Sequence, residues 1–285
     1  MTTAIFSDLD GTLIFSARHL GDTKVEDLTL VETFRGNPQA WMTTHAVREL
    51  TEVRRGAPFI PVTTRVESQY RRVKLPGGPS EFAILGNGGR ILVGGVEDQD
   101  WTDRVNDSSW GIGKPFVMAD ALERALGGEE WVHEIRAYDN IVCVAGRRTH
   151  PMPPLFATLL ARFAEDNGYT AYPQGRKTHL IPAHVTKEAA AAEVASRLGA
   201  TRTIASGDHH LDVGLMRWAT EAIQPAHGVD AAGIATTARA GVLAGEDAIA
   251  AFRRFVHSAA GGMAKRHGAS RAAGSVVMNS GRAAA

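Results

Sequence analysis

Towards both ends of the chain, short apolar segments that end in polar or turn-forming residues alternate with segments of helical periodicity. The predicted strands among them are 5–8, 59–62, 82–85 and 201–205. Apolar residues recur at helical spacing over 44–55, and an alanine-rich helix is predicted over 187–198. Strands that are apolar on both faces are typical of a parallel sheet covered by helices. The pattern therefore predicts an α/β fold with a doubly wound, Rossmann-like parallel sheet.

The middle third of the chain has a different pattern. Amphipathic helices are predicted over 115–126 and 154–167, and strands over 90–93, 131–137, 141–145, 169–172 and 179–182. Hairpins mixed with helices favour an inserted α+β module with an antiparallel sheet. The predicted domain division is 1–88 for the first part of the α/β core, 89–182 for the insert, and 183–258 for the second part of the core.

Four further segments complete the predicted organisation. A hairpin is expected from strands 28–34 and 39–42, with its turn at Gly36-Asn37-Pro38. Two more helices are expected over 231–238 and 248–257. Residues 259–285 are mainly Gly, Ala, Ser, Arg and Lys without periodicity, so we expect a disordered tail there.

Composition limits the binding partners and the cellular compartment that can be expected for the protein. The 285 residues are 44% hydrophobic, and 31 basic residues balance 31 acidic ones. A net charge of zero argues against a nucleic-acid or membrane-surface partner. The single cysteine, Cys143, excludes an intramolecular disulfide and fits a reducing compartment. No apolar run reaches the ~18 residues of a membrane span, and the first strand leaves no room for a signal peptide, so we expect a cytoplasmic protein.

Two carboxylates follow the first predicted strand, in the sequence Asp-Leu-Asp-Gly-Thr at residues 8–12. Alternate residues of a strand share a face, so Asp8 and Asp10 can converge where the strand ends. Two like charges that lie so close are unfavourable unless a cation lies between them or one carboxylate keeps its proton. Such a pair is expected in a site that performs chemistry.

Three other segments place polar residues at predicted strand ends or at a helix start, where open α/β sheets bind ligands. They contain Thr63, Lys187, and the run Ser-Gly-Asp-His-His-Leu-Asp at residues 206–212. Together with residues 8–12 they supply what phosphoryl transfer needs. Asp8 is an anionic nucleophile, and Asp8, the Asp10 carbonyl and Asp208 are oxygen ligands for Mg²⁺.

The remaining requirements concern charge and protons. The Thr63 hydroxyl, the Lys187 ammonium, and the backbone N–H groups of Gly11 and Thr12 can meet the charge on the transferring phosphoryl group. Asp10, beside the nucleophile, can carry the proton that the leaving alkoxide requires. Asp212 has two interpretations, as a further metal ligand or as a partner of Lys187.

The four segments, in this order, resemble the motifs of the haloacid dehalogenase (HAD) superfamily of phosphohydrolases over residues 1–258. The resemblance implies that Asp8 is the nucleophile and Asp10 the general acid/base. It implies that Thr63 is the motif-two hydroxyl and Lys187 the motif-three lysine. Asp208 and Asp212 match the acidic metal-binding motif, so Asp8, Asp10, Asp208 and Asp212 are the predicted Mg²⁺ ligands. The implied chemistry is formation and hydrolysis of an aspartyl-phosphate intermediate.

The insert resembles the type II cap of Cof-like, sucrose-phosphate and mannosyl-3-phosphoglycerate phosphatases and of phosphomannomutase. The resemblance lies in residues 84–89, Ile-Leu-Gly-Asn-Gly-Gly, and residues 177–182, Lys-Thr-His-Leu-Ile-Pro. It implies a small phosphorylated metabolite as substrate, either a sugar phosphate or a phosphoglycerate derivative. Candidate substrate contacts, each with the alternative of an ordinary structural or solvated residue, are Arg65, Asn87, Arg136, Lys177 and His179.

Two positions depart from the family pattern, and two alternative functions stay open. Thr64 stands where the family often has glycine, and Leu211 stands where it often has asparagine. The alternatives are a phosphomutase on the same scaffold and a binding or regulatory protein without activity. The complete set of acidic and cationic residues favours an enzyme over the second alternative.

Overall fold

The computed structural model describes residues 2–107 and 114–273. Its strands, in chain order, are β1 (Thr2–Ser7), β2 (Leu28–Phe34), β3 (Asn37–Thr43), β4 (Phe59–Pro61), β5 (Phe82–Leu85), β6 (Arg90–Val93), β7 (Val96–Glu97), β8 (Val132–Tyr138), β9 (Ile141–Gly146), β10 (Tyr169–Gln174), β11 (Lys177–Pro182), β12 (Ala200–Ser206), β13 (Glu221–Gln224) and β14 (Ala235–Thr236). Its helices are α1 (Thr44–Gly56), α2 (Glu67–Tyr70), α3 (Gln99–Val105), α4 (Pro115–Leu126), α5 (Pro154–Asp166), α6 (Lys187–Arg197), α7 (Val213–Trp218) and α8 (Val242–Ala273).

A five-stranded parallel sheet with the order β14-β13-β12-β1-β4 forms the centre of the core. Strand β1 pairs with β12 on one side and β4 on the other, and five of its six residues are buried. Ile5 packs on one face with Leu50 of α1 and Phe252 of α8. Phe6 packs on the other face with α6 and α7. Helices on both faces of a parallel sheet confirm the predicted doubly wound α/β class.

The middle of the chain forms a four-stranded antiparallel sheet with the order β10-β11-β9-β8. Strand β9 shows how its two faces differ. Val142 and Val144 point into an apolar cluster with α4 and α5, whereas Cys143 and Ala145 lie on the opposite face. This sheet with its two helices is the predicted α+β cap. The exact boundaries predicted for it, 89 and 182, stay predictions.

The hairpin of β2 and β3 is confirmed, but β3 begins at Asn37, because the turn lies at Arg35 and Gly36. Both turn residues have positive φ angles, 50° and 76°. The register of the hairpin shifts on both sides of the Glu32–Ala40 pair, and the shifts leave Val31 and Gln39 without a partner. Val31 and Met42 are buried in the core, so the hairpin is packed firmly on the α/β domain.

The predicted helix at 231–238 is wrong. The structure has β14 there instead, with Ala235 paired to Ile223 of β13. The buried side chain of Gln224 explains the difference, because its Oε1 accepts from the Ala231 N–H and its Nε2 donates to Thr236 Oγ1. Gln224 Nε2 also donates to the Ile234 carbonyl at 3.3 Å, and the Thr237 N–H donates to the Gln224 carbonyl at 2.8 Å, so backbone groups that a helix over 231–238 would pair internally are used by β13 instead.

The end of the chain also differs from expectation. Helix α8 spans Val242–Ala273, so it begins before the predicted residue 248 and its backbone continues past residue 258. Residues 274–285 of the predicted tail lie outside the described residues. In the described ranges, no helix combines the length and apolar character needed to cross a bilayer.

Helix α8 is expected to contribute strongly to the stability of the core. Phe252 on this helix is fully buried, with 0% exposure. We expect Phe252→Ala to lower the free energy of unfolding by about 3–5 kcal/mol, because it removes a large apolar group and leaves a cavity. Urea unfolding followed by circular dichroism measures this change. Phe116→Ala is the control, since Phe116 is 69% exposed, and an equal loss in both variants would contradict the packing described here.

Candidate active site

Three adjacent strands bring the predicted polar residues to the carboxyl-terminal end of the core sheet. Asp8 follows β1, Asp208 follows β12, and Thr63 follows β4. Backbone hydrogen bonds continue the pairing past the strand ends, since the Asp8 N–H donates to the Ser206 carbonyl at 2.9 Å. The carboxyl ends of the strands therefore form one surface, where the sequence predicted a site.

The ammonium of Lys187 lies at the centre of this surface. Its Nζ is 2.6 Å from Asp8 Oδ1 and 2.5 Å from Asp212 Oδ1, and the side chain is 1% exposed. Burial alone would lower the pKa of Lys187, but Asp212 and Asp8 raise it above its usual value. The lysine is therefore a permanent cation in this site. Both interpretations of Asp212 are compatible with its position, because it contacts Lys187 and also adjoins the other carboxylates.

Asp8, Asp208 and Asp212 form a carboxylate cluster in which oxygen atoms lie within 4.8 Å of one another. Burial raises the pKa of Asp8 well above its usual value, Lys187 opposes this rise, and the neighbouring carboxylates add to it. Burial and the nearby Asp212 raise the pKa of Asp208 to about 7. One lysine thus does not neutralise the cluster, and a hard divalent cation with oxygen ligands fits the remaining negative charge.

Two glycines allow these carboxylates to approach the chain. Gly11 has a φ angle of +77°, and a Cβ there would lie 2.2 Å from Asp208 Oδ2. A Cβ on Gly207 would lie 2.2 Å from the Cβ of Asp212. Side chains at either position would displace the cluster. The space for a cation therefore depends on glycine in both loops.

Backbone N–H groups in the loops around Asp8 and Asp212 are used in local hydrogen bonds. The N–H groups of Gly11 and Thr12 donate to the carbonyls of Ile14 and Leu9, so both are used within the loop. The expectation that they face a phosphoryl group is therefore wrong. The His209 N–H donates to Asp212 Oδ2 at 2.9 Å. Leu211, the departure from the family pattern, is buried in an apolar cluster with residues such as Ile141 of the cap.

Thr63 lies as predicted at the end of its strand and is 1% exposed. Its Oγ1 accepts from the Arg65 N–H at 3.1 Å, which leaves the hydroxyl proton for another acceptor. Thr64 lines a cavity that lies between this surface and the cap sheet. The bulk of Thr64, which replaces the family glycine, is therefore accommodated at the cavity surface.

Asp10 is not one of the three carboxylates of this cluster and forms a bidentate ion pair with Arg65. Arg65 Nε is 2.6 Å from Asp10 Oδ2, and Nη2 is 2.7 Å from Oδ1. Burial alone would lower the pKa of Arg65, but its hydrogen bonds to Asp10 and Glu32 raise it above its usual value. Sequence reasoning missed this pairing. Arg65 two residues after Thr63 was a signal for a contact near the site but did not identify its partner.

A cavity of about 250 Å³ lies between this surface and the open face of the cap sheet. Asp10 and Arg65 line it from the core, and Arg136, Lys177 and His179 line it from the cap. Burial, with smaller contributions from Lys177 and His209, lowers the pKa of His179 to about 4. The His179 ring is therefore neutral near pH 7 and offers one donor and one acceptor.

Asn87 is not among the residues that line this cavity. It is 2% exposed, has a φ angle of 61°, and donates its side-chain N–H to the Val185 carbonyl at 3.0 Å. A larger cavity of about 610 Å³, bordered by Phe59 and Phe82, lies at the amino ends of β4 and β5. Asp8 is at the opposite ends of the strands, so volume alone does not identify the site.

The search of protein families found no matching family model, and the search of curated proteins found no match. Solved structures do match. Sucrose-phosphatase from Synechocystis, in complex with sucrose and phosphate, aligns with a TM-score of 0.62 and 16% identity over 89% of this chain and 99% of that chain. A trehalose-6-phosphate phosphatase related protein aligns with a TM-score of 0.56 and 15% identity over 90% of this chain and 98% of that chain.

A phosphatase of the HAD superfamily from Bacteroides thetaiotaomicron aligns with a TM-score of 0.52 and 13% identity, over 88% of this chain and 95% of that chain. These alignments span the core and the cap together. The chain therefore has the fold of the HAD-superfamily phosphatases with an inserted cap. The resemblance drawn from its four polar segments is confirmed at the level of the fold.

Cation binding at the carboxylate cluster is expected to depend on pH. Asp208 must lose its proton to bind a metal, and its pKa is raised to about 7. Mg²⁺ affinity is therefore expected to rise about ten-fold from pH 6 to pH 8, as the competing proton leaves. Isothermal titration calorimetry measures the affinity at both values. Asp208→Asn should weaken binding and reduce the pH dependence, whereas the exposed control Asp22→Asn should leave both unchanged. An equal wild-type affinity at pH 6 and pH 8 would contradict the assignment.

Proposed function

We propose that the protein is a Mg²⁺-dependent phosphomonoesterase that acts through an aspartyl-phosphate intermediate. The observation that carries the proposal is the buried Asp8 carboxylate, which is bonded to Lys187, belongs to a cluster with Asp208 and Asp212, and lies two residues before Asp10, a residue that lines the cavity under the cap. The neighbouring structures described as phosphatases support it through their shared fold. The predicted metal set is Asp8, the Asp10 carbonyl, Asp208 and Asp212, and it stays part of the proposal.

The first half-reaction transfers the phosphoryl group to the enzyme. A carboxylate oxygen of Asp8 attacks phosphorus, and the bond between phosphorus and the ester oxygen breaks. Lys187 fixes the other oxygen of Asp8, so the attacking oxygen is oriented before substrate arrives. The Thr63 hydroxyl donates toward a phosphoryl oxygen. Bound Mg²⁺ would neutralise charge on the phosphoryl oxygens and reduce repulsion between substrate and Asp8.

Asp10 manages the proton in both half-reactions. It lines the cavity and its side chain is 50% exposed, so it can reach the leaving group of a bound ester. In the first step Asp10 in its protonated form, with one oxygen still bonded to Arg65 and the other carrying the proton, donates that proton to the departing alkoxide. In the second step it accepts a proton from the water that attacks the aspartyl phosphate. Inorganic phosphate leaves and Asp8 is regenerated.

The cavity indicates a small phosphorylated metabolite as the substrate. Its volume of about 250 Å³ is below the roughly 300–1,000 Å³ of sites for drug-sized ligands. The Arg136 and Lys177 side chains and the neutral His179 ring offer hydrogen bonds to hydroxyl or carboxylate groups. These features support a sugar phosphate or a phosphoglycerate derivative. We further propose a cytoplasmic enzyme that needs neither a nucleic acid nor a membrane as a partner.

Asp8→Asn tests the nucleophile. The amide cannot form the aspartyl phosphate, so we expect phosphatase activity with Mg²⁺ to fall by at least about 10³-fold. Activity is measured by phosphate release from a panel of phosphomonoesters. Lys187 keeps Asp212 as a partner in this variant, so circular dichroism should show a folded chain. Asp22→Asn serves as the control with normal activity. Appreciable Mg²⁺-dependent turnover by Asp8→Asn would refute the mechanism.

Hydrolysis is separated from phosphomutase activity by the fate of water oxygen. In a single turnover in ¹⁸O-labelled water, we expect the released phosphate to contain the label, because water attacks the aspartyl phosphate. Mass spectrometry of the phosphate measures the label. A mutase would instead return the phosphoryl group to the organic product. Absence of label in phosphate, with a rearranged phosphate ester as product, would identify the mutase.

A further inference from the structure

The carboxylate of Glu32 is buried near the proposed site, although it belongs to none of the four polar segments. Glu32 lies in β2 of the hairpin and is 4% exposed. Glu32 is paired with Ala40 between two shifts of register, which leave Val31 and Gln39 without a partner, and such bulges redirect the side chains beside them. A backbone bridge also joins Glu32 to Val73, so the hairpin is attached to the segment that follows α2.

Both oxygens of Glu32 contact arginines that line the cavity. Glu32 Oε2 is 2.8 Å from Arg65 Nη2, and Oε1 is 3.1 Å from Arg72 Nε. The guanidinium of Arg72 in turn lies 4.5 Å from the ring centre of Phe34, at the end of the same strand. The hairpin thus supplies a buried anion between two cations on the cavity wall.

The guanidinium of Arg65 is bonded on several sides. It donates twice to Asp10 and once to Glu32, and Nη1 donates to the Gln69 carbonyl at 3.3 Å. An arginine side chain loses considerable rotamer freedom when it is fixed in one orientation. Glu32 and the Gln69 carbonyl oppose rotation of the guanidinium plane. That plane determines the plane of the Asp10 carboxylate, because the ion pair between them is bidentate.

Asp10 would be poorly oriented without this support. Its side chain is half exposed, and exposed ion pairs alone fix geometry weakly. Arg65 is 13% exposed and Glu32 is 3% exposed in their side chains, so the orienting contact lies on the dry side of the pair. The contacts therefore lead from the buried Glu32 carboxylate, through the Arg65 guanidinium, to the Asp10 carboxylate at the cavity.

We propose that Glu32 is a positioning residue that fixes the Arg65 guanidinium and thereby aims Asp10 at the leaving-group oxygen. The inference rests on the proposed function, because it assigns Glu32 a role in proton transfer by Asp10. It also gives the β2–β3 hairpin a function, since the hairpin carries the buried end of this contact. A role confined to attaching the hairpin would affect stability but would not depend on the leaving group.

Substrates with different leaving groups separate these roles. An alkyl alkoxide needs a proton from Asp10, whereas 4-nitrophenolate leaves without one. We expect Glu32→Gln to lower kcat/KM about ten-fold or more for alkyl phosphates, out of the roughly 10²–10⁴-fold that general acid catalysis supplies. The best substrate among glycerol 3-phosphate and the hexose 6-phosphates is the alkyl probe. Turnover of 4-nitrophenyl phosphate is expected to change by less than about three-fold, since it requires no general acid.

Glu97→Gln is the matched control. Glu97 is also a partly buried carboxylate that pairs with an arginine, Arg90, at 3.2 Å, but it is not among the residues that line the cavity. It should leave both substrates unaffected. If Glu32→Gln fails to fold by circular dichroism, Glu32→Asp replaces it. The aspartate keeps the buried charge but withdraws the carboxylate from Arg65, so the same selective loss is expected.

The outcomes are distinct. A selective loss on alkyl phosphates supports the positioning role. An equal loss on both substrate types, or no loss on either, overturns it while wild-type turnover preserves the proposed function. A folded wild-type chain that releases phosphate from no ester in the presence of Mg²⁺ overturns the proposed function, and the inference falls with it.

Discussion

The buried ammonium of Lys187 is the interaction on which the site depends. A buried, desolvated cation is unfavourable unless anions surround it. Three carboxylates close together at the strand ends are likewise unfavourable without a cation. The ammonium and the carboxylates stabilise each other, because Lys187 Nζ contacts both Asp8 and Asp212. The start of helix α6 is also an unfavourable position for a positive charge, so these anions offset the helix dipole as well. The small buried residues Ala190 and Ala191 let the helix lie close to the sheet that carries the carboxylates.

Much of the site could be predicted from the sequence, because regular strands impose simple geometry. Residues at the carboxyl ends of neighbouring parallel strands must lie near one another, which brings Asp8, Thr63 and Asp208 together. The apolar strand before each of them and the helix that begins at Lys187 are visible as local patterns. The fold class follows from the same alternation of strands and helices. These inferences need only the direction of each element and no knowledge of individual side-chain contacts.

The features that sequence reasoning missed depend on side-chain partners far apart in the chain. Arg65 lines the cavity, and its substrate contact stays a prediction, but no local pattern indicates its bonds to Asp10 and to Glu32 of the hairpin. The segment 231–238 has helical composition, but Gln224 bonds its backbone and an edge strand forms instead. The amides of the Asp8 loop were expected to be free, whereas the compact turn uses them internally. In the last two cases, specific hydrogen bonds outweighed what the local sequence indicated.

The wide separation of the charged residues along the chain also affects how the protein is made. Asp8 and Lys187 are 179 residues apart, and the cap lies between them. Because synthesis proceeds from the amino terminus, Asp8 leaves the ribosome long before its cation exists, and it must stay solvated until the second part of the core is complete. Contacts between residues so distant in sequence require the closure of a long loop, which slows folding. A nascent chain that lacks Lys187 and Asp212 therefore has no assembled charge cluster, and the chain becomes competent only when its last core strands are in place.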